Sequence, residues 1–500
     1  MFFVSAACFT LLFGSSYAGP RVVQQALKED ATAITNYLAP LLRGQDAVDY
    51  INNRTFVQAE SVGTLSIAKL KDVFLRDDNF AMDILSNKPI YSCKGLLPPP
   101  GSVSVQDLPL ANSPDPIDAS TPRNAQGLPL LSSRPTSKKT ILLDFDGCTI
   151  TNTWYNYGRA ATITNKPYDP SKNGAAFDKI EQANIIAIWR AVSEDYAPFD
   201  VDVTTIDRGL NRLIRNFAGD EEHGVRVCIG GSYNDWYKTP AAGASYYHTF
   251  NNIVDLPVFI FAVDLIKTQH VWEILSHEVG HTLGLSHDGK DGNQFYTGQG
   301  TWAPIMGLPY DKQVTQFSKG DYPGATNKED DFAKIKYYLK EIADDHGNTM
   351  AKSSLLNSKK QVRGLVGITD PKDFFKMNVA GGKLIIKTDV VPAYGGQGRA
   401  NLDIYLDLFN AAGVRINSAG MWATLGATIT MDNLPRGTYY VSVEKSGNEG
   451  VLGYSNYGSV GQYVISAEFA EFVPAVISNT TVRPTSTRRV SSTARAPTPI

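Results

Sequence analysis

Residues 277–287 read HEVGHTLGLSH, and the whole chain is best read outward from them. His277 and His281 stand four apart, so on a helix they project from one face and can bind a single ion. Glu278, beside the first ligand, is placed to take a proton from a water at that ion. Gly284 is where the helix should stop, because glycine adopts the left-handed conformation that turns the chain. That turn brings His287 back as a third ligand from outside the helix. Three histidines leave a fourth position open, as in a catalytic zinc site and unlike a closed structural one. The chain has only seven histidines, and three fall in this short stretch. Val271, Leu275 and Val279 form an apolar stripe that buries the helix back, and Thr268 is the expected N-cap.

On either side of this motif the sequence alternates strand and helix signals. ILLDF (141–145) is a continuous apolar run, as in a strand buried on both faces. Ile185, Ile188, Trp189, Val192 and Tyr196 follow a helical period within 175–196. DVDVTT (200–205), VRVCIG (225–230), GASYYHTF (243–250) and PVFIFAV (257–263) read as further strands, and a last helix is expected over about 327–343. This order predicts an α/β sheet. After Gly364 the texture changes to strands and Gly-rich turns, including FFKMNV, KLIIKTDV, NLDIYLDLFN, TYYVSVEK and QYVISAEF, which predict a separate β-sandwich.

The 500 residues are 43% hydrophobic and 19% charged with a net charge of −3, which favours globular domains and disfavours a nucleic-acid partner. An apolar stretch from Phe2 to Phe13, followed by Ser16-Tyr17-Ala18, reads as a secretory signal cleaved near Ala18. It is too short to span a bilayer, and no later segment is long enough. Secretion to the extracellular space is the expectation. Asn53 and Asn479 lie in glycosylation sequons. Residues 19–95 read mainly as amphipathic helix, 96–139 as a Pro/Ser-rich linker open to proteolysis, and 474–500 as a disordered tail. Of four cysteines, Cys8 leaves with the signal. Cys93, Cys148 and Cys228 remain, an odd number in an oxidising compartment.

The run His277-Glu278-x-x-His281-x-x-Gly284-x-x-His287 resembles the metzincin signature of zinc peptidases. Ala303-Pro304-Ile305-Met306-Gly307 fits the family's Met-turn, with Met306 beneath the metal ligands. Asp288 after the third histidine resembles the reprolysin or adamalysin branch, where it is structural. LLDFDG (142–147), APFDVDVTT (197–205), SHEVGHTLGLSHDG (276–289), WAPIMG (302–307), NKEDD (327–331) and GYSNYGSVGQY (453–463) resemble a group of secreted metzincins carrying a C-terminal pre-peptidase-like sandwich. The resemblance covers about 140–470.

It implies an α/β metzincin catalytic domain over 140–350, with a five-stranded mixed sheet and an active-site helix. An all-β sandwich over 365–470 and a helical propeptide over 19–95 complete the expected organisation. GASYYHTF would be the antiparallel edge strand to which a peptide adds by main-chain hydrogen bonds. The implied activity is that of a zinc endopeptidase, acting on protein or peptide substrates as a monomer with Glu278 as general base. The family's sheet order makes a Cys148–Cys228 disulfide plausible and leaves Cys93 free. A thiolate is a good zinc ligand, so Cys93 is the candidate for a cysteine switch, with activation by cleavage within 96–139. The alternative is a buried structural thiol, and YSCKG departs from known switch motifs.

Calcium is conceivable at the Asp144/Asp146 and Asp200/Asp202 pairs, although capping of strand ends is the commoner use of such residues. His223, His248, His270 and His346 lack metal spacing. Tyr310 lies four residues past Met306, an offset that does not match the family's assisting tyrosine. Two rival readings stand beside the peptidase. One is a catalytically inactive secreted binding or adhesion protein on the same scaffold. The other is a different zinc hydrolase, such as an amidase. Inactive relatives usually lose the Glu or a ligand, and none is missing here.

Overall fold

The computed structural model describes residues 41–53, 66–84, 86–99, 120–156, 159–174, 176–265, 267–391, 400–420, 424–448 and 453–472. The expected signal peptide, residues 100–119 of the expected linker, the tail and the Asn479 sequon lie outside them. Among the described residues the chain is rich in β-structure, with several sheets and few helices.

The described chain begins with β1 (Leu41–Leu42), α1 (Gly44–Asn53) and α2 (Ile67–Arg76). Ser66 caps α2 by accepting from the Lys69 N–H at 3.2 Å, and Leu70, Val73 and Phe74 are its buried face. Next come β2 (Phe80–Asp83) and β3 (Lys88–Ser92), paired antiparallel. The described part of this segment thus holds a strand hairpin in addition to the expected helices. Phe80-Ala81-Met82 and Pro89-Ile90-Tyr91 are short apolar runs, and Asn87 between them takes a positive φ of 58°. Two apolar runs joined by a tight turn favour a hairpin over a helix.

β4 (Lys139–Asp144) opens the central sheet, and β5 (Cys148–Thr151) and β6 (Thr162–Asn165) form a hairpin beside it. α3 (Lys179–Asp195) starts at a capping box of Asp178 and Glu181. β7 (Asp202–Thr204), β8 (His223–Ile229), β9 (Gly243–Tyr246) and β10 (Val258–Ile260) complete the sheet, in the order β1-β2-β3-β9-β10-β8-β4-β7. β7, β4, β8 and β10 run parallel, whereas β9 is antiparallel to β10. The edge of β9 is covered by β3, also antiparallel, so eight strands stand where five were expected. Ile141, Leu142 and Leu143 are buried in succession, and because neighbouring side chains on a strand point to opposite faces, β4 is covered on both.

Cys148 opens β5. It is disulfide-bonded to Cys228 of β8, 80 residues on. The linker also needs correction. Leu128 and Leu131 are buried, and the Leu131 and Ser133 N–H groups donate to Thr205 Oγ1 and the Val203 carbonyl. Polar composition suggested a tether here, but those polar groups are partners for β7.

α4 (Thr268–Thr282) packs against α3, β9 and β10. Its N-cap is Lys267, in extended conformation, and Thr268 is already helical, one residue from expectation. β11 (Trp302–Pro304) pairs parallel with β12 (Val314–Gln316). α5 (Asp331–Ile335) is far shorter than the helix expected over 327–343. The chain leaves it to run beside the end of α3, where the Asp200 N–H donates to the Lys340 carbonyl at 2.8 Å.

The second sheet system comprises β13 (Ser354–Leu355), β14 (Gln361–Val366), β15 (Lys372–Val390), β16 (Ile404–Asn410), β17 (Arg415–Ala419), β18 (Ala427–Leu434), β19 (Gly437–Lys445) and β20 (Gly461–Glu471). β15 holds it together. Its first half pairs with β19 and its second half with β18 and β20, with the change of partner at Gly381-Gly382. Two of the hydrophobic cores interlock: Tyr296, Trp302 and Val314 pack into the sandwich core, and Val460 packs into that of the first sheet.

Candidate metal centre

The end of α4 explains how three histidines meet. Gly284 has φ +87°, the Leu285 N–H donates to the Gly280 carbonyl, and the Gly284 N–H donates to the His281 carbonyl, each at 3.0 Å. This pair of bonds is a Schellman motif, which ends the helix and reverses the chain. His287 then returns to the cluster. The Nε2 atoms of His277 and His287 each lie 3.1 Å from His281 Nε2.

Every Nδ1 has its own partner on the far side. His277 Nδ1 donates to the Ile305 carbonyl at 2.9 Å and His281 Nδ1 to the Leu285 carbonyl at 2.8 Å. His287 Nδ1 lies 2.5 Å from Asp77 Oδ2. With His277 and His281 donating from Nδ1, their Nε2 atoms are left with lone pairs, and all three Nε2 atoms converge on one point. Burial pushes His277 down to about 3 and His281 well below its ordinary value, favouring the neutral, ligating form. A cation is the partner that makes such an arrangement favourable, and outer hydrogen bonds of this kind orient metal-binding imidazoles.

Cys93 follows β3, and its Sγ lies 3.9, 3.6 and 3.4 Å from the Nε2 atoms of His277, His281 and His287. These four buried side chains can hold a metal ion. Cys93 is free of any disulfide, and burial, with Glu278 nearby, pushes its thiol well up. Tyr91 stacks on His281 with ring centroids 3.6 Å apart and planes nearly parallel. The main chain joins in as the Cys93 N–H donates to the Gly243 carbonyl and Cys93 accepts from the Ala242 N–H.

Glu278 is fully buried, and its Oε2 accepts from Ser245 Oγ at 2.6 Å. Burial raises its carboxyl to about 8, with Ser245 and Cys93 pulling the other way. A Cβ at Gly243 would lie 2.6 Å from Glu278 Cγ, so β9 must carry glycine there to let Glu278 in. Met306 is fully buried, with its sulfur 2.6 Å from where a Cβ on Gly280 would be, directly against α4 between the two helical histidines. The turn holding it is closed by the Gly307 N–H on the Pro304 carbonyl. Asp288 is buried away from the cluster, its N–H donating to the Met306 carbonyl at 2.9 Å.

Three contributors escaped the sequence reading. Asp77 and Tyr91 carry no local signature, being ordinary residues in a segment read for helix period. Ser245 sits in an apolar-looking strand. Tyr310, set aside for its offset, donates its hydroxyl to the Leu96 carbonyl at 2.6 Å and stacks on His270.

The suggested calcium pairs are used otherwise. Asp202 accepts from Ser132 Oγ, the Arg134 N–H and Arg208, Asp144 faces Arg226 at 3.7 Å, and Asp200 faces Arg134 at 4.0 Å. A different acidic group gathers where the sandwich begins: Asp344, Asp345, Asp370 and Asp373, with carboxylate oxygens within 4.8 Å of one another. Asp370 and Asp373 are buried. Both oxygens of Asp370, Oδ1 of Asp373 and Oδ1 of the neighbouring Asn348 lack a hydrogen-bond partner.

No known family model matches the sequence, and no curated protein matches it. Solved structures that match include the pre-peptidase C-terminal domain of a Bacillus anthracis collagenase, at 17% identity over 23% of this chain and 94% of that one, with a TM-score of 0.18. A Yersinia pseudotuberculosis-derived mitogen matches at 11% identity over 23% and 89% of the two chains, with a TM-score of 0.16. The Aeromonas hydrophila periplasmic inhibitor of g-type lysozyme, PliG, matches at 7% identity over 23% and 96%, with a TM-score of 0.15. Overlaps this small carry no functional inference. Among the described residues no helix is long and apolar enough to cross a membrane.

Proposed function

We propose that this chain is a secreted zinc endopeptidase of the metzincin type, kept latent by its own N-terminal segment. The observation that carries this reading is the convergence of His277, His281 and His287 Nε2 on one point, with Glu278 one residue from the first of them. The donor set, three imidazoles with the Cys93 thiol on their fourth side, suits zinc. A zinc ion there supplies a Lewis acid that polarises a scissile carbonyl and makes a water acidic near neutral pH.

The protein's own groups do the rest. Glu278, aligned by Ser245, takes the proton of the attacking water and passes it to the leaving amine. β9 binds the substrate backbone once β3 has left, just as it now pairs Ile90, Tyr91 and Ser92 with Tyr246, Ser245 and Ala244. Cys93 follows that pairing and reaches all three histidines, so a peptide lying on β9 also passes the metal ligands. The Tyr310 hydroxyl, now on the Leu96 carbonyl, becomes available to a substrate carbonyl.

The test is hydrolysis of an unstructured protein by the chain after cleavage within 100–119 and removal of the N-terminal segment. Activity abolished by a zinc chelator and restored by Zn2+ is the expected result. A zinc-loaded chain that cleaves nothing would favour the rival binding protein.

The acidic group around Asp370 supports a calcium ion as a second, structural cofactor. Hard cations take several oxygen ligands, and buried carboxylates without donors are otherwise unfavourable. Burial and the neighbouring carboxylates raise Asp370 to about 7, and burial raises Asp373 to about 8, the mark of negative charges lacking a counter-ion. Millimolar Ca2+ is expected to raise the melting temperature of the full chain, in line with extracellular sites of Kd about 10⁻⁴–10⁻³ M. Asp370→Asn should remove that response. A melting curve indifferent to Ca2+ in the wild type would refute the site.

A further inference from the structure

We infer that the C-terminal sandwich is a working part of the metal centre, and that Asn401 is a positioning residue for His277. The inference rests on the metal reading above and names which outer residues hold its first ligand.

Two chains of hydrogen bonds leave Asn401, one ending at Ser276 beside His277 and the other at the His277 ring. In the first, Asn401 Nδ2 donates to Asp195 Oδ1 at 2.8 Å, at the end of α3. Asp195 Oδ2 accepts from Ser276 Oγ at 2.6 Å, and Ser276 precedes His277 on α4. Tyr196 adds a bond from its hydroxyl to the Ser276 carbonyl at 2.9 Å. In the second, the Asn401 main-chain carbonyl, which an alanine would keep, accepts from Gln316 Nε2 at 2.6 Å. The Gln316 carbonyl accepts from the Ile305 N–H at 2.8 Å, and the Ile305 carbonyl is the acceptor for His277 Nδ1. One route sets where the His277 backbone lies, and the other sets how its ring is turned.

Asp195, Ser276, Gln316 and Asn401 are at most 3% exposed. Hydrogen bonds in such surroundings are strong, and a missing partner is expensive. The loop carrying GYSNYGSVGQY strengthens the docking: Tyr457 accepts from the Phe332 N–H, while the Gln462 N–H and Nε2 hold the Glu194 carboxylate. These latter bonds dock the sandwich without leading to His277, and that difference makes the idea testable.

The experiment uses the full chain, loaded with Zn2+ or with Co2+ as a spectroscopic substitute. Asn401→Ala is expected to weaken Zn2+ binding about 10- to 100-fold, as loss of an outer partner of a metal ligand typically does. It should also shift the visible absorption of the Co2+ form. Ser276→Ala, which cuts the first route inside the first core, should act in the same direction and serves if Asn401→Ala folds poorly. Gln462→Ala should leave both readouts at wild-type values. Equal losses in Asn401→Ala and Gln462→Ala would reduce the effect to loosened docking and overturn the positioning role. Wild-type affinity and spectrum in Asn401→Ala and Ser276→Ala would overturn it too, with the metal reading intact. A wild-type chain that takes up no Zn2+ would overturn both.

Discussion

Glu278→Gln is expected to lower turnover of a protein substrate by about 10³-fold, within the range for loss of a general base. The substitution keeps size and shape, so the contact to Ser245 Oγ and the packing against Gly243 survive. What disappears is the ability to accept a proton from water and return it to the amine. Glu278 is outside the ligand set, so zinc content should match the wild type. That pairing of normal metal with lost turnover separates this role from a structural one. A zinc-loaded Glu278→Gln enzyme within about tenfold of wild-type kcat/KM would sink the assignment, since a tenfold change is only about 1.4 kcal/mol of barrier.

The second large effect concerns latency. Cys93→Ala in the full-length chain is expected to raise hydrolysis at least about tenfold over the wild-type precursor, equivalent to about 1.4 kcal/mol of lost docking. Cys93 is the fourth donor of the histidine cluster, and alanine supplies none. The gain should stay below that of the cleaved chain, because the segment keeps other holds. β3 remains paired with β9, Tyr91 remains stacked on His281, and Asp77 remains on His287. Latency in this reading has two layers, a ligand and a strand. The check is cleavage of a small fluorogenic peptide by both precursors, with the N-terminal segment shown intact. A Cys93→Ala precursor as silent as wild type would mean the strand alone blocks the site and the thiol is structural.

How much was legible in advance depended on the range of the interaction. The spacing of His277, His281 and His287 could be read because it follows from helix period and one glycine turn within eleven residues. Gly284 takes the positive φ that the reading required. ILLDF and the α3 stripe were likewise local patterns with one physical solution. Thr268 was off by one, because several residues can end a helix and tertiary packing chooses among them. The last helix was overestimated because apolar residues continue through Tyr338 and Leu339, which instead form a turn on the Ile335 carbonyl, with Tyr338 against His248 and Phe250.

By itself, the sequence determined the chemistry of the histidine cluster and the alternation of strands and helices around it. Both are encoded in neighbours a few residues apart, where backbone geometry leaves little choice. Only the tertiary structure decided that β3 covers β9, that Asp77 and Cys93 reach ligands some 200 residues away, that Asn401 braces His277, and that four aspartates gather at the start of the sandwich. A strand edge accepts any backbone, since its hydrogen bonds carry no side-chain identity, and a buried carboxylate finds its donor wherever packing brings one. Those choices belong to the folded chain as a whole, and no local pattern records them.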